Sequence, residues 1–278
     1  MATAPQLVLP ASLDKVRVAS LPSTAFYIAD FITEEEEELI LQKVEAAPKP
    51  RWKQLTHRRL QTWPSDLIRD KLLDAPLPPW LVDPVITRLL SIPVQTSSNG
   101  SGSAENDDAI DDTAYGTAYD SHINKNKNIF SSSPHSRPNH VLINEYPPGV
   151  GIMPHKDGSA YHPVVCTVSL GASLCLNIYK NNEDGTLPAE PVARILQEPR
   201  SLLITTGSLY TDYLHGIADI QEDVNLSPDT VANWDLLRSR EAFGSGQNTR
   251  ETRISLTYRD VLKVSTLGNK FGMFGKRP

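Results

Sequence analysis

From residue 137 to residue 260 the chain breaks into short runs rich in Val, Ile, Leu, Thr and Tyr, separated by Pro and Gly. The runs at 141–146, 164–170, 174–179, 201–206 and 252–259 have the length and composition of strands, and no helical pattern intervenes between them. Successive strands without crossover helices cannot build a parallel α/β sheet, so they pair as an antiparallel sandwich or jelly roll. With 278 residues the chain is long enough to bury a substantial core under such a sheet. The expected class is mainly β with flanking helices, around a jelly-roll core at 137–278.

The first 94 residues read as a helical extension packing on that core as part of the same structural domain. Thr33-Glu34-Glu35-Glu36 is a capping box, and its acidic first turn suits the positive end of a helix. That helix is expected over 34–46, with Leu39, Ile40 and Val44 on its apolar face, and shorter helices over 66–73 and 80–90. Residues 95–136 are rich in Ser, Asn, Asp and Gly, lack a hydrophobic period, and are expected to be a disordered insertion.

No apolar stretch approaches the roughly 18–20 residues of a membrane span, and the N-terminus lacks the basic and apolar regions of a signal peptide. Cys166 and Cys175 stand in apolar runs without metal-type spacing, which reads as two buried free thiols in a reducing compartment. The expected location is intracellular, in nucleus or cytoplasm, with no membrane partner. Net charge is −6, but the acid is concentrated in 34–38 and 95–136. Outside those segments 25 basic residues face 22 acidic ones, so nucleic acid is permitted as a partner and not demanded. The oligomeric state leaves no mark on the sequence.

His155-Lys156-Asp157 places an imidazole and a carboxylate two residues apart, on one side of an extended segment. With seven histidines and 19 aspartates in the chain, one such pair is unsurprising. His215, at the end of another apolar run and followed by Gly216, offers a third ligand. Two histidines and a carboxylate are the set that binds non-haem Fe(II) and leaves positions open for cosubstrate and oxygen. The alternative is a surface histidine beside an aspartate and an unrelated core histidine. In Arg253-Ile254-Ser255-Leu256-Thr257-Tyr258-Arg259, alternation sends two arginines, Ser255 and Thr257 to one face. That face meets either solvent or a small acidic ligand inside the barrel, such as a dicarboxylate. Asn144 and Tyr146 form a similar pair, suited to orienting carboxylate oxygens or to ordinary strand decoration.

Taken in order, Asn144-x-Tyr146, His155-x-Asp157, His215-Gly216-Ile217 and Arg253-x-Ser255-Leu256-Thr257-x-Arg259 resemble the AlkB family of Fe(II)- and 2-oxoglutarate-dependent dioxygenases. Gly151-Ile152-Met153-Pro154-His155, Tyr161-x-Pro163 and Arg59-Leu60-Gln61-x-Trp63 look most like its sixth homologue branch. The resemblance implies a double-stranded β-helix with iron held by His155, Asp157 and His215, and O2 and 2-oxoglutarate as cosubstrates. It implies that Arg253 pairs with the far carboxylate of 2-oxoglutarate, that Asn144 and Tyr146 help orient it, and that Arg259 lies by its C1 end or structures that wall. Ser255 departs from the Asn of bacterial AlkB-type enzymes, and its hydroxyl reaches less far.

The implied reaction is oxidative decarboxylation of 2-oxoglutarate to succinate and CO2, coupled to hydroxylation of an N-methyl carbon and loss of formaldehyde. The expected substrate is a modified nucleobase in RNA or DNA. A catalytically weak reader of modified RNA, or a dioxygenase acting on a protein side chain, are the alternatives. Candidate substrate contacts are Arg58, Arg59, Trp63 and Tyr161, three of them in a segment that interleaves cations and aromatics. The competing reading makes Trp52 and Trp63 packing residues and the cations a solvated rim.

Overall fold

The computed structural model of the protein describes residues 7–22, 24–95 and 127–265. Two antiparallel sheets face each other. The larger has seven strands, in the order Ala25–Ile28, Leu202–Thr206, Val164–Leu170, Arg253–Arg259, His140–Tyr146, Arg59–Trp63 and Lys53–Gln54. The smaller has four, in the order Ile152–His155, Leu214–Ile217, Leu174–Tyr179 and Ala193–Gln197. This is the jelly roll expected from the strand pattern.

Both faces of the large sheet are covered. Val141, Ile143, Leu256 and Tyr258 point outward into a core shared with Phe31, Ile40, Val44, Leu81 and Leu89. The helix Glu34–Glu45 starts at the expected capping box, with Glu36 N–H donating to Thr33 Oγ1 at 3.2 Å and Thr33 N–H to Glu36 at 2.8 Å. It lays Ile40 and Val44 on the sheet, whereas Leu39 is 57% exposed. The polar face of the Arg253–Arg259 strand therefore points into the barrel, because the outer face is already packed.

Three local expectations need correction. Residues 66–73 are a turn rather than a helix: Arg69 and Asp70 have positive φ (50° and 59°), and Leu72 is buried by parallel pairing of Leu72–Leu73 with Val264–Ser265. The helix expected over 80–90 is two, Pro79–Val82 and Val85–Ser91, because Asp83 precedes a proline and takes extended backbone. Of the segment 95–136, residues 96–126 lie outside the described residues, but 127–136 form turns that seat Phe130 in the core at 0% exposure. One aromatic in a polar run leaves no period to read. The first 94 residues also supply three strands to the large sheet, so this extension is not purely helical. Cys166 and Cys175 are buried free thiols as expected, and no described helix is long and apolar enough to cross a membrane.

Candidate functional site

The small sheet brings His155 and His215 together. They are direct partners across adjacent antiparallel strands, with ring centroids 4.4 Å apart. Glycine allows the approach, since a Cβ at Gly216 would lie 2.9 Å from the Pro154 nitrogen. Asp157 follows two residues later, just past the strand end, and ligand atoms of His155, Asp157 and His215 lie within 4.8 Å of one another. The Met153 carbonyl, 2.9 Å from His155 Nδ1, can only accept, so Nδ1 is the donor there and Nε2 is the nitrogen left for a ligand. Burial pulls His215 down to about 4, leaving it neutral and able to ligate at physiological pH.

The opposite wall is the large sheet. Register places Arg253 across from Tyr146, Ser255 across from Asn144 and Arg259 across from His140. Together with the His/Asp/His group, Arg253, Tyr146, Ser255, Asn144 and Arg259 line a cavity of about 140 Å³, with Leu176, Ile178 and Leu203 on its other sides. Arg253 is 2% exposed and forms no ion pair among the described residues. Its guanidinium donates to Ser169 Oγ and Gln197 Oε1, both at 2.9 Å, and its Nε has no partner. Burial pulls it down to about 10. Asn144 Oδ1 is likewise buried and unsatisfied. A buried guanidinium with no carboxylate paired to it is suited to receive an anion.

Arg259 is engaged differently. It donates to Asp157 Oδ1 at 2.6 Å and stacks at 4.1 Å on Tyr161, which puts Tyr161 at the metal end of the cavity. Lys156 Nζ donates to the Thr211 carbonyl and the Tyr210 hydroxyl to the Gly158 carbonyl, so the loop carrying Asp157 is tied to the short helix Ser208–Thr211 at two points.

Not every candidate gathers here. Arg58 lines the cavity, but alternation along the Arg59–Trp63 strand turns Arg59 and Trp63 to the other face. Arg59 makes a double hydrogen bond with Glu145 (2.6 and 2.7 Å) and covers the Trp52 ring at 4.1 Å. Trp63 meets Trp80 edge-on at 5.8 Å and carries the Arg51 guanidinium at 4.1 Å. Both side chains are engaged by protein partners on that face. Sequence reasoning missed Ser169, Gln197 and Tyr210. Recognising Ala193–Gln197 as a strand would have put Gln197 at a strand end near the arginine; nothing in the sequence points to Tyr210.

A larger recess of about 530 Å³ beside Glu198 and Arg238 lies apart from these residues. Its buried carboxylate, Glu198, is already saturated by the Tyr27 hydroxyl and the backbone N–H groups of Arg238 and Ser239.

The profile of the 2OG-Fe(II) oxygenase superfamily matches residues 24–259. The chain is 37% identical over 267 residues to the Danio rerio protein named "Probable RNA/DNA demethylase ALKBH6", covering 91% of this chain and 92% of that one. The chain is an AlkB-like 2OG-Fe(II) oxygenase. Protein L905 of Acanthamoeba polyphaga mimivirus is 30% identical over 128 residues, or 46% of this chain and 50% of that one. Among solved structures, that of OsALKBH1 aligns with a TM-score of 0.45 and 13% identity, over 86% of this chain and 99% of that one. The oxygenase thus uses Fe(II), with 2-oxoglutarate and O2 as cosubstrates. Its residues fit them: a His/Asp/His donor set for the ion, and beyond it a buried Arg253 whose Nε–H has no partner and can donate to a carboxylate.

Proposed function

We propose that this oxygenase oxidatively demethylates a modified nucleobase in RNA or DNA, in the nucleus or cytoplasm. The observation that carries the reading is the pairing, in one cavity, of a three-residue ligand set with a buried arginine that has no carboxylate of its own. The nucleic-acid part is supported by the name of the Danio rerio relative.

His155, Asp157 and His215 would hold the iron. When bound, the ion and its cosubstrates supply the oxidising power, with 2-oxoglutarate leaving as succinate and CO2. The chain's own residues bind and position. Arg253 pairs with the far carboxylate, helped by Ser255, while Tyr146 and Asn144 orient the cosubstrate from the neighbouring strand. Arg259 fixes the free side of Asp157 through a charge-assisted bond, and Tyr161 packs on that arginine, so the two form a rigid wall beside the substrate methyl. The apolar wall of Leu176, Ile178 and Leu203 limits water. Hydroxylation of an N-methyl carbon there gives a hemiaminal, which releases formaldehyde and leaves the nitrogen demethylated.

A mass-spectrometric screen of methylated oligonucleotides and methylated peptides tests this reading. The expected result is loss of a methyl group from an oligonucleotide, with formaldehyde and succinate formed in equal amounts. Modification of peptides alone would refute it, as would succinate formation that no oligonucleotide stimulates.

A further inference from the structure

Charge in the cavity is lopsided. Its permanently charged lining, among the described residues, is Arg58, Arg253 and Arg259 against Asp157 alone. The two histidines are neutral as ligands, and a ferrous ion offsets the two charges of 2-oxoglutarate. The loaded site therefore keeps an excess of two positive charges.

Two of the arginines have assignments: Arg259 is held by Asp157 at 2.6 Å, and Arg253 occupies the end that receives the dicarboxylate. Arg58 has none. It sits at the turn between the strands Lys53–Gln54 and Arg59–Trp63, its side chain makes no ion pair or hydrogen bond with a described residue, and its Nε is buried. The carboxylates nearby are engaged elsewhere, Glu145 by Arg59 and Asp66 by Lys53 and Thr62. His140, 1% exposed and facing Arg259, supplies no compensating charge.

We infer that the site takes a methylated base that is uncharged at neutral pH and discriminates against one carrying a formal positive charge, with Arg58 as the residue that reads the difference. A cationic base entering here would lose water and meet the Arg58 guanidinium, which has no counter-charge of its own among the described residues. A neutral base with a carbonyl oxygen on its edge instead accepts an Arg58 N–H. The inference rests on the demethylation reading and narrows its substrate class.

The test uses two oligonucleotides identical except at one position, 3-methyluracil (neutral) or 3-methylcytosine (cationic), which carry the methyl on the same ring nitrogen. Affinities are measured on the enzyme loaded with iron(II) and 2-oxoglutarate without oxygen, and turnover is read when oxygen is admitted. The neutral base is expected to bind on the order of tenfold more tightly. Arg58→Gln should erase most of that ratio, and Arg58→Lys, which keeps the charge, should retain it. Equal affinities, or preference for the cation, overturn the inference, and turnover of either oligonucleotide then leaves the demethylation reading standing. Failure to bind any oligonucleotide overturns both. A ratio unchanged in a folded Arg58→Gln protein removes Arg58 from its role.

Discussion

The two ends of the cavity are built on one strand and solve opposite problems. Arg253 and Arg259 share a face of the Arg253–Arg259 strand and are 2% and 4% exposed. At the metal end the protein supplies the counter-charge, Asp157, and the pair is complete before any ligand arrives. At the other end it supplies only a hydroxyl, an amide and a phenol ring over which the guanidinium lies at 5.8 Å, and leaves one N–H without a partner. An uncompensated buried charge costs stability. Under the proposed function, Arg253 would be a binding group for an anion and Arg259 a positioning group for Asp157.

Substitutions should separate these roles. The largest effect is expected for Arg253→Gln, which should raise the KM for 2-oxoglutarate by about 10- to 100-fold, the worth of a charge-assisted bond of roughly 1.5–3 kcal/mol. Its melting temperature should not fall, since an unpaired buried charge is removed; a wild-type KM would erase the distinction between the ends. Arg259→Gln should reverse the pattern, leaving 2-oxoglutarate affinity little changed at saturating metal while weakening metal binding about tenfold, measured calorimetrically with Mn(II).

His140, opposite Arg259, adds a pH test. Burial, reinforced by the Arg259 charge, pulls it down to about 3. The unfolded chain then binds the extra proton first as pH falls, so stability declines from near the ordinary histidine value of about 6.5 toward about 3, by up to about 1.4 kcal/mol per pH unit. Denaturant melts of His140→Phe should lose that portion of the slope, and an unchanged slope would show that the ring carries its proton in the folded state. The smallest effect is expected on the outer face. Arg59→Ala should cost less than about 1 kcal/mol and leave the 2-oxoglutarate KM alone; a raised KM would place Arg59 in the cavity.

Much of this organisation is legible along the chain because strand periodicity is local. Alternation places Arg253, Ser255 and Arg259 together without knowledge of the fold, and the same rule puts Arg59 and Trp63 on the face opposite Arg58. Proximity along the chain alone thus does not put the three in one place; the period of two separates them. What alternation cannot give is which face is inward. That depends on the helix Glu34–Glu45 and on Phe130 covering the other side. Gln197 and Tyr210 were hidden because their roles arise from pairings between strands and loops far apart in sequence. The turn at 69–70 was misread because Leu72 is apolar for a tertiary reason, its pairing near Val264.

The central claim, that three side chains hold one ferrous ion beside a keto diacid anchored by Arg253, can be observed without any nucleic acid. Anaerobic titration of the protein with iron(II) and 2-oxoglutarate should develop the visible charge-transfer absorption of an iron(II)–2-oxo acid chelate at one equivalent of metal. His155→Ala, Asp157→Ala and His215→Ala, checked for folding by circular dichroism, should each abolish it, and Arg253→Gln should shift it to higher 2-oxoglutarate concentration. The same absorption at wild-type affinity in any folded ligand variant would contradict the account.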